Sequence, residues 1–227
     1  MTGPEGVRMQ ILQFPMLALF VLATTVHLNA SLKQNTALRN KTKPFILVGL
    51  MGFYLGAADP VILSVVVALF FSWLGDMLLI PKGTKWFSAG GVAFMVSHAF
   101  FILSYVQDTD FAVIPAAVLI LLPAAFIAAS LIIFRCLRPH LPKGLFYPML
   151  FYLILNGMMN CFAWFRALTV GGMAGIITAV GAFLFFVSDS SLFFVRFKKD
   201  SRLKTHFVVM LTYSLGEFLI ILGLILR

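Results

Sequence analysis

Five ionisable side chains fall inside long apolar runs of this sequence: His27, Asp76, His98, Asp189 and Glu217. Placing a charged side chain at the centre of a bilayer costs on the order of 2.5–3.5 kcal/mol on the insertion scale, so such residues are candidates for chemistry. Only Asp76 and Asp189, of eight acids, lie in apolar runs close to a basic end, and Glu217 sits deeper. Two carboxyls brought together in a low dielectric do not both ionise cheaply and tend to hold one proton between them. One is then an acid at neutral pH and the other a base. That pair serves acid-assisted hydrolysis of an ether, acetal or enol ether, or directs water at a carbonyl. It serves a proton relay in a transporter equally well.

The elements that must position these residues follow from composition. Of 227 residues, 61% are apolar and 11% charged, which excludes an ordinary soluble domain. Apolar runs bounded by charge or by Pro/Gly clusters predict spans at 11–31, 44–58, 60–80, 87–106, 111–134, 145–165, 170–196 and 206–226. The expected architecture is an all-α polytopic membrane protein, an eight-transmembrane-helix bundle forming one domain over residues 1–227. Eight spans take roughly 160 positions, so the connections are short and no second domain fits. The second span is the weakest, at about 15 residues and about 22 Å against a hydrocarbon core of about 30 Å.

Charge decides in favour of that span. With eight crossings the odd-numbered connections hold 14 of the 17 Lys and Arg, including Lys33, Arg39, Lys41 and Lys43 in the first. The opposite side keeps Arg8, Arg166 and Arg227. Without the second crossing the split becomes 10 against 7. The basic side is expected to face the cytosol, with both termini outside it. The net charge of +9 is therefore read as membrane orientation, not nucleic-acid binding. The run after Arg8 ends in a basic loop with no clear small-residue cleavage site, so it is kept as a helix. Cys136 and Cys161 are too few for a disulfide framework.

Counting at 1.5 Å per residue, Asp76 lies about 8 Å in from Pro81 and Asp189 about 11–13 Å in from Arg196 and Lys198. His98 and Glu217 lie about 16 Å in from their helix starts. All four are expected to line one cavity open to the cytosol, while the outer half of the helices shows no ionisable relay. Structural readings compete with each. Asp76 after Gly75 snorkels or caps a turn; Asp189 is held by Ser190 and Ser191; His98 is a packing residue; Glu217 is a neutral acid donating to a backbone carbonyl. His27 is expected at the interface, and Asn156 and Asn160 are expected to bond a neighbouring helix, with Tyr152 on the same face as Asn156. Gly49, Gly52, Gly56, Gly171 and Gly175 read as packing surfaces. No Walker-type loop, GxSxG elbow or Cys/His zinc pattern occurs.

LGDMLLI around Asp76, GGVAFMVSHAF around His98, GAFLFFVSDSSL around Asp189, the Lys43–Pro44 pair and TYSLGEFLI near the end resemble the YhhN-type lysoplasmalogenases, integral-membrane proteins. The resemblance covers nearly the whole chain, with Phe101 and Glu217 departing from the tyrosine and glutamine expected there. It implies hydrolysis of the vinyl ether bond of a lysoplasmalogen, giving a fatty aldehyde and glycerophospho-ethanolamine or -choline. Asp76 and Asp189 would share the acid and base roles, leaving open which takes which. His98, Ser188 and Tyr152 would orient water or tune the pair, with Glu217 in the same polar pocket, and Lys43, beside a helix N-terminus, would bind the phosphate or simply set topology. The expected partner is a membrane lysophospholipid, without nucleic acid. The scheme needs no cofactor and no metal, one histidine with two aspartates being poor zinc ligation. Short loops and the absence of retention signals fit a bacterial inner membrane or an internal eukaryotic one. The competing classes are a proton-coupled transporter and a membrane scaffold.

Overall fold

The computed structural model describes residues 4–198 and 206–226, with side chains from residue 11 onward. The described residues form α1 (Pro4–Leu32), α2 (Thr36–Ala57), α3 (Leu63–Leu78), α4 (Thr84–Gln107), α5 (Ala116–Leu137), α6 (Phe146–Val170), α7 (Gly172–Phe197) and α8 (His206–Ile225), with three single 3-10 turns and no strand among them. Six of the helical segments are long and apolar enough to cross a membrane, and the chain is an integral membrane protein. The two outside that set are α2 and α3. α3 has 16 residues, about 24 Å of helix, and the first half of α2 carries Arg39, Lys41 and Lys43.

Several boundaries move from their expected positions, each for a local reason. α2 starts at Thr36, not at residue 44, because the Asn35 side chain accepts the Leu38 N–H and caps the first turn. Lys43 and Pro44 therefore lie within the helix and do not open it. α5 starts five residues later than expected, since Asp110 caps a 3-10 turn at Phe111–Val113 and Pro115 precedes the helix. α6 runs on to Val170, which takes Arg166 out of the expected loop and into the helix. Gly171 and Gly172 then turn the chain at φ +69° and +61°, so Gly171 serves the turn and not packing.

The chain divides into two compact units, residues 1–101 and 102–227, with the boundary inside α4. In the first, α1 and α2 form a close hairpin: a Cβ on Gly49 would lie 2.6 Å from the Phe20 backbone nitrogen, so only glycine admits this approach. α2 is tied to α3 at both ends. The Tyr54 hydroxyl accepts the Ile62 N–H at 2.9 Å, and the Trp73 indole donates to the Pro44 carbonyl at 3.2 Å. Ser72 and Ser97 join α3 to α4 through a 2.8 Å hydroxyl–hydroxyl bond. In the second unit, α7 and α8 make the closest pair, where a Cβ on Gly216 would lie 2.8 Å from the Gly181 carbonyl oxygen. Ser130 of α5 donates to the Leu153 carbonyl of α6 at 2.9 Å. Of α5 only Ser130 and Leu137 are buried, the pattern of a helix that faces lipid along most of its surface.

Candidate active site

In the first unit the chemistry gathers where α2 meets α3. Trp73 and Asp76, three residues apart, share one face of α3, and that face meets the adjacent residues Pro44 and Lys43 of α2. The Trp73 bond to the Pro44 carbonyl fixes the register. The Lys43 ammonium then lies 3.1 Å from Asp76 Oδ1, with both side chains largely buried. Lys43 is thus in the third turn of α2 and ion-paired, and not beside a helix N-terminus as expected.

The opposite face of α3 builds the rest of this cluster. Gly75 leaves no room for a side chain, since a Cβ there would lie 2.7 Å from the Phe94 ring. The Phe94 carbonyl takes a hydrogen bond from His98 Nδ1. A carbonyl only accepts, so His98 Nδ1 carries a proton and Nε2 points away from the helix backbone. His98 is buried, as is Phe101. His27 is buried too, and not interfacial: its Nδ1 lies 3.0 Å from the Thr42 hydroxyl. The Thr42 proton is directed to the Leu38 and Arg39 carbonyls, so Nδ1–H is the donor to Thr42.

In the second unit Asp189 is the centre. Tyr152 and Asn156, four apart on α6, both face α7 and both donate to Asp189 Oδ2, at 2.5 and 2.7 Å. Asn160, one turn further, donates to the Asn156 carbonyl at 3.0 Å and so braces its own helix, unlike the interhelical bond expected of it. Phe193, one turn after Asp189, packs edge-on against the Tyr152 ring with centroids 5.3 Å apart. Ser188 faces the other way and donates to the Val209 carbonyl of α8 at 2.8 Å, which places it as a link between α7 and α8. Ser190 and Ser191 are buried, and the Ser190 hydroxyl has no hydrogen-bond partner among the described residues. Asn156 was visible in the sequence as helix glue. Its spacing from Tyr152 carried the signal that both would reach one acceptor.

A second buried polar group lies at the other end of this unit. Arg166, counted in the sequence as a loop charge, is fully buried. Its Nε donates to Asp108 Oδ2 at 3.0 Å, Nη1 to the Thr178 hydroxyl at 3.0 Å and Nη2 to the Gly223 carbonyl at 3.5 Å. Tyr105 and the fully buried Glu217 lie in the same electrostatic neighbourhood. Arg166 therefore lies within α6 and pairs with Asp108, where the sequence placed it in a loop.

Among the described residues no group of three His, Cys, Asp or Glu side chains is placed to hold a metal ion. The two aspartates fall in different units. Each is buried; Asp76 pairs with the Lys43 ammonium, and Asp189 accepts from Tyr152 and Asn156.

The family model described as the YhhN family matches residues 38–224. No curated protein and no solved structure matches the chain.

Proposed function

We propose that this chain, which belongs to the YhhN family, is a lysoplasmalogenase that cleaves the vinyl ether bond of lysoplasmalogens within the membrane. A family that contains hydrolases and two buried, hydrogen-bonded or ion-paired carboxylates, Asp76 and Asp189, support the reading. The observation that carries it is the Asp189 arrangement: Tyr152 and Asn156 hold one carboxylate oxygen and so fix the direction of the other.

The chemistry is a proton transfer followed by addition of water. A carboxylic acid delivers its proton to the β-carbon of the vinyl ether, and the oxygen-bearing carbon becomes an oxocarbenium ion. A carboxylate stabilises that cation and takes a proton from the water that adds. The resulting hemiacetal collapses to a fatty aldehyde and a glycerophospho-ethanolamine or -choline, with one water consumed. Asp76, which rests against the Lys43 ammonium, and Asp189, held by Tyr152 and Asn156, would share the acid and base roles. His98, whose ring is held through Nδ1 by the Phe94 carbonyl, suits orientation of the water. No metal enters the scheme. The connections rich in Lys and Arg would face the cytosol of a bacterial cell membrane, α2 and α3 would complete eight crossings, and both termini would lie outside.

The test is incubation of the purified protein with a lysoplasmalogen and with its saturated-ether analogue, following fatty aldehyde. Only the vinyl form accepts a proton at carbon, so only it reacts. Asp76→Asn and Asp189→Asn each abolish aldehyde release while the protein still elutes as a monodisperse detergent complex. Activity retained by either variant removes that aspartate from the mechanism.

A second reading, a proton-coupled transporter, draws on the buried Arg166 and Glu217 and on Asp108, which pairs with Arg166. Proton flux in liposomes without lipid turnover would select it over the hydrolase.

A further inference from the structure

The face of α2 that meets α3 is one continuous stripe: Arg39, Lys43, Leu47, Leu50 and Tyr54, spaced by three or four residues. Its apolar members are buried, Tyr54 is anchored at the Ile62 N–H, and Lys43 is engaged by Asp76. Arg39 lies one turn beyond Lys43, about 6 Å further along the axis. α3 runs antiparallel to α2 here and ends at Leu78, only two residues past Asp76. Arg39 is therefore level with the end of α3, where that helix no longer covers the stripe.

Arg39 is half-buried, and its Nε is shielded from solvent with no hydrogen-bond partner among the described residues. Desolvation holds the guanidinium below its ordinary pKa, yet arginine stays charged at any physiological pH. An exposed lysine next to it, Lys41, has water to solvate it and does not pose the same problem. The first unit offers Arg39 no carboxylate. Its acids are Glu5, at the far end of α1, Asp59, beyond the far end of α2, and Asp76, already paired. The basic ends of these helices carry Lys33, Arg39, Lys41, Lys43, Lys82 and Lys85 against Asp76 alone. A half-buried fork of N–H donors in a local excess of positive charge calls for an oxyanion, and a phosphodiester matches its planar geometry with two parallel bonds.

We infer that Arg39 is the anchor for the phosphate of a lysophospholipid headgroup, with Lys43 committed instead to Asp76. This rests on the hydrolase reading for the identity of the lipid. It changes the recognition residue expected from the sequence by one helical turn. The ligand's phosphate would sit at the end of α3, with its glycerol and chain directed towards Asp76.

Equilibrium binding to the purified detergent-solubilised protein tests this without turnover. The probes are a saturated-ether 1-alkyl-glycerophosphocholine, the corresponding 1-alkylglycerol lacking phosphate, and inorganic phosphate. Arg39→Gln is expected to weaken the phosphocholine ligand by at least about tenfold, as loss of a charge-assisted pair implies, and to leave the alkylglycerol unchanged. Arg39→Lys is expected to retain part of the affinity, and Lys41→Gln all of it. Arg39→Gln binding the phosphocholine within about twofold of the parent, or weakening both lipids equally, overturns the inference. Strong inorganic phosphate binding lost in Arg39→Gln, with lipid binding unchanged, assigns the site to free phosphate and overturns the headgroup form. Absence of aldehyde from lysoplasmalogen with the binding pattern intact rejects the hydrolase reading and leaves the phosphate anchor standing.

Discussion

Breaking the Lys43–Asp76 pair from its two sides should have unequal consequences, and the inequality can be worked from the geometry. At 3.1 Å and an effective dielectric of about 20, the Coulomb attraction is about 5 kcal/mol, offset by a desolvation penalty of several kcal/mol per ion. The net worth of the pair is small, but the cost of leaving one member behind is not. Asp76 is 3% exposed and Lys43 14% exposed by side chain. Lys43→Met takes the ammonium away from a buried carboxylate and is expected to destabilise the fold by about 3–5 kcal/mol. Asp76→Asn leaves an ammonium on a long stem that reaches water, and should cost about 1–2 kcal/mol. The double variant Lys43→Met/Asp76→Asn has no charge to strand and should recover most of the loss, giving a coupling of about 3 kcal/mol. Reversible unfolding in mixed micelles of rising SDS fraction reads all three differences. Additive effects, or a Lys43→Met cost below about 0.5 kcal/mol, would refute the placement of Asp76 as an ion-paired buried carboxylate.

Two other variants probe the second unit. Tyr152→Phe removes the 2.5 Å bond to Asp189 Oδ2 while keeping the ring against Phe193; a charge-assisted bond of about 1.5–3 kcal/mol predicts an activity loss of about 10- to 150-fold with the fold intact, and full activity would show that the bond does not orient Asp189 for catalysis. Arg166→Met leaves the Thr178 hydroxyl, the Gly223 carbonyl and Asp108 without their common donor, and should destabilise by about 3–5 kcal/mol in the same unfolding assay. Arg166→Lys should not restore it, because a single ammonium lacks the fork that reaches three acceptors on separate elements. Parent-like stability of the lysine variant would refute that account.

Hydrophobic runs located the eight helices of the described residues, because six of them are apolar over a length that can cross a membrane and the other two hold shorter apolar runs. Their ends were less accessible. Pro44 read as an N-terminal residue because proline favours the first turn, yet the Asn35 cap nine residues earlier starts the helix and tolerates proline further in. The cap therefore puts Lys43 in the interior of the helix and not at its mouth. Arg166 was misplaced for a related reason. An arginine near the end of an apolar run looks like a loop charge, and only the tertiary positions of Asp108, Thr178 and Gly223 make it a buried hub.

The candidate site shows the same division between what a residue is and what it meets. Carboxylates are costly in apolar helices, so Asp76 and Asp189 declare themselves by type alone. Their partners depend on which faces of which helices meet, and helix register is not written in any one segment. Tyr152 and Asn156 illustrate the middle case: their four-residue spacing puts them on one face, but that this face meets Asp189 of α7 and not an adjacent α5 required the fold. Arg39 and Lys43 have the same spacing and would be interchangeable phosphate ligands if spacing were all that mattered. The end of α3 two residues past Asp76 separates them: the cation level with the carboxylate pairs with it, and the one beyond the helix end keeps a shielded Nε with no hydrogen-bond partner among the described residues.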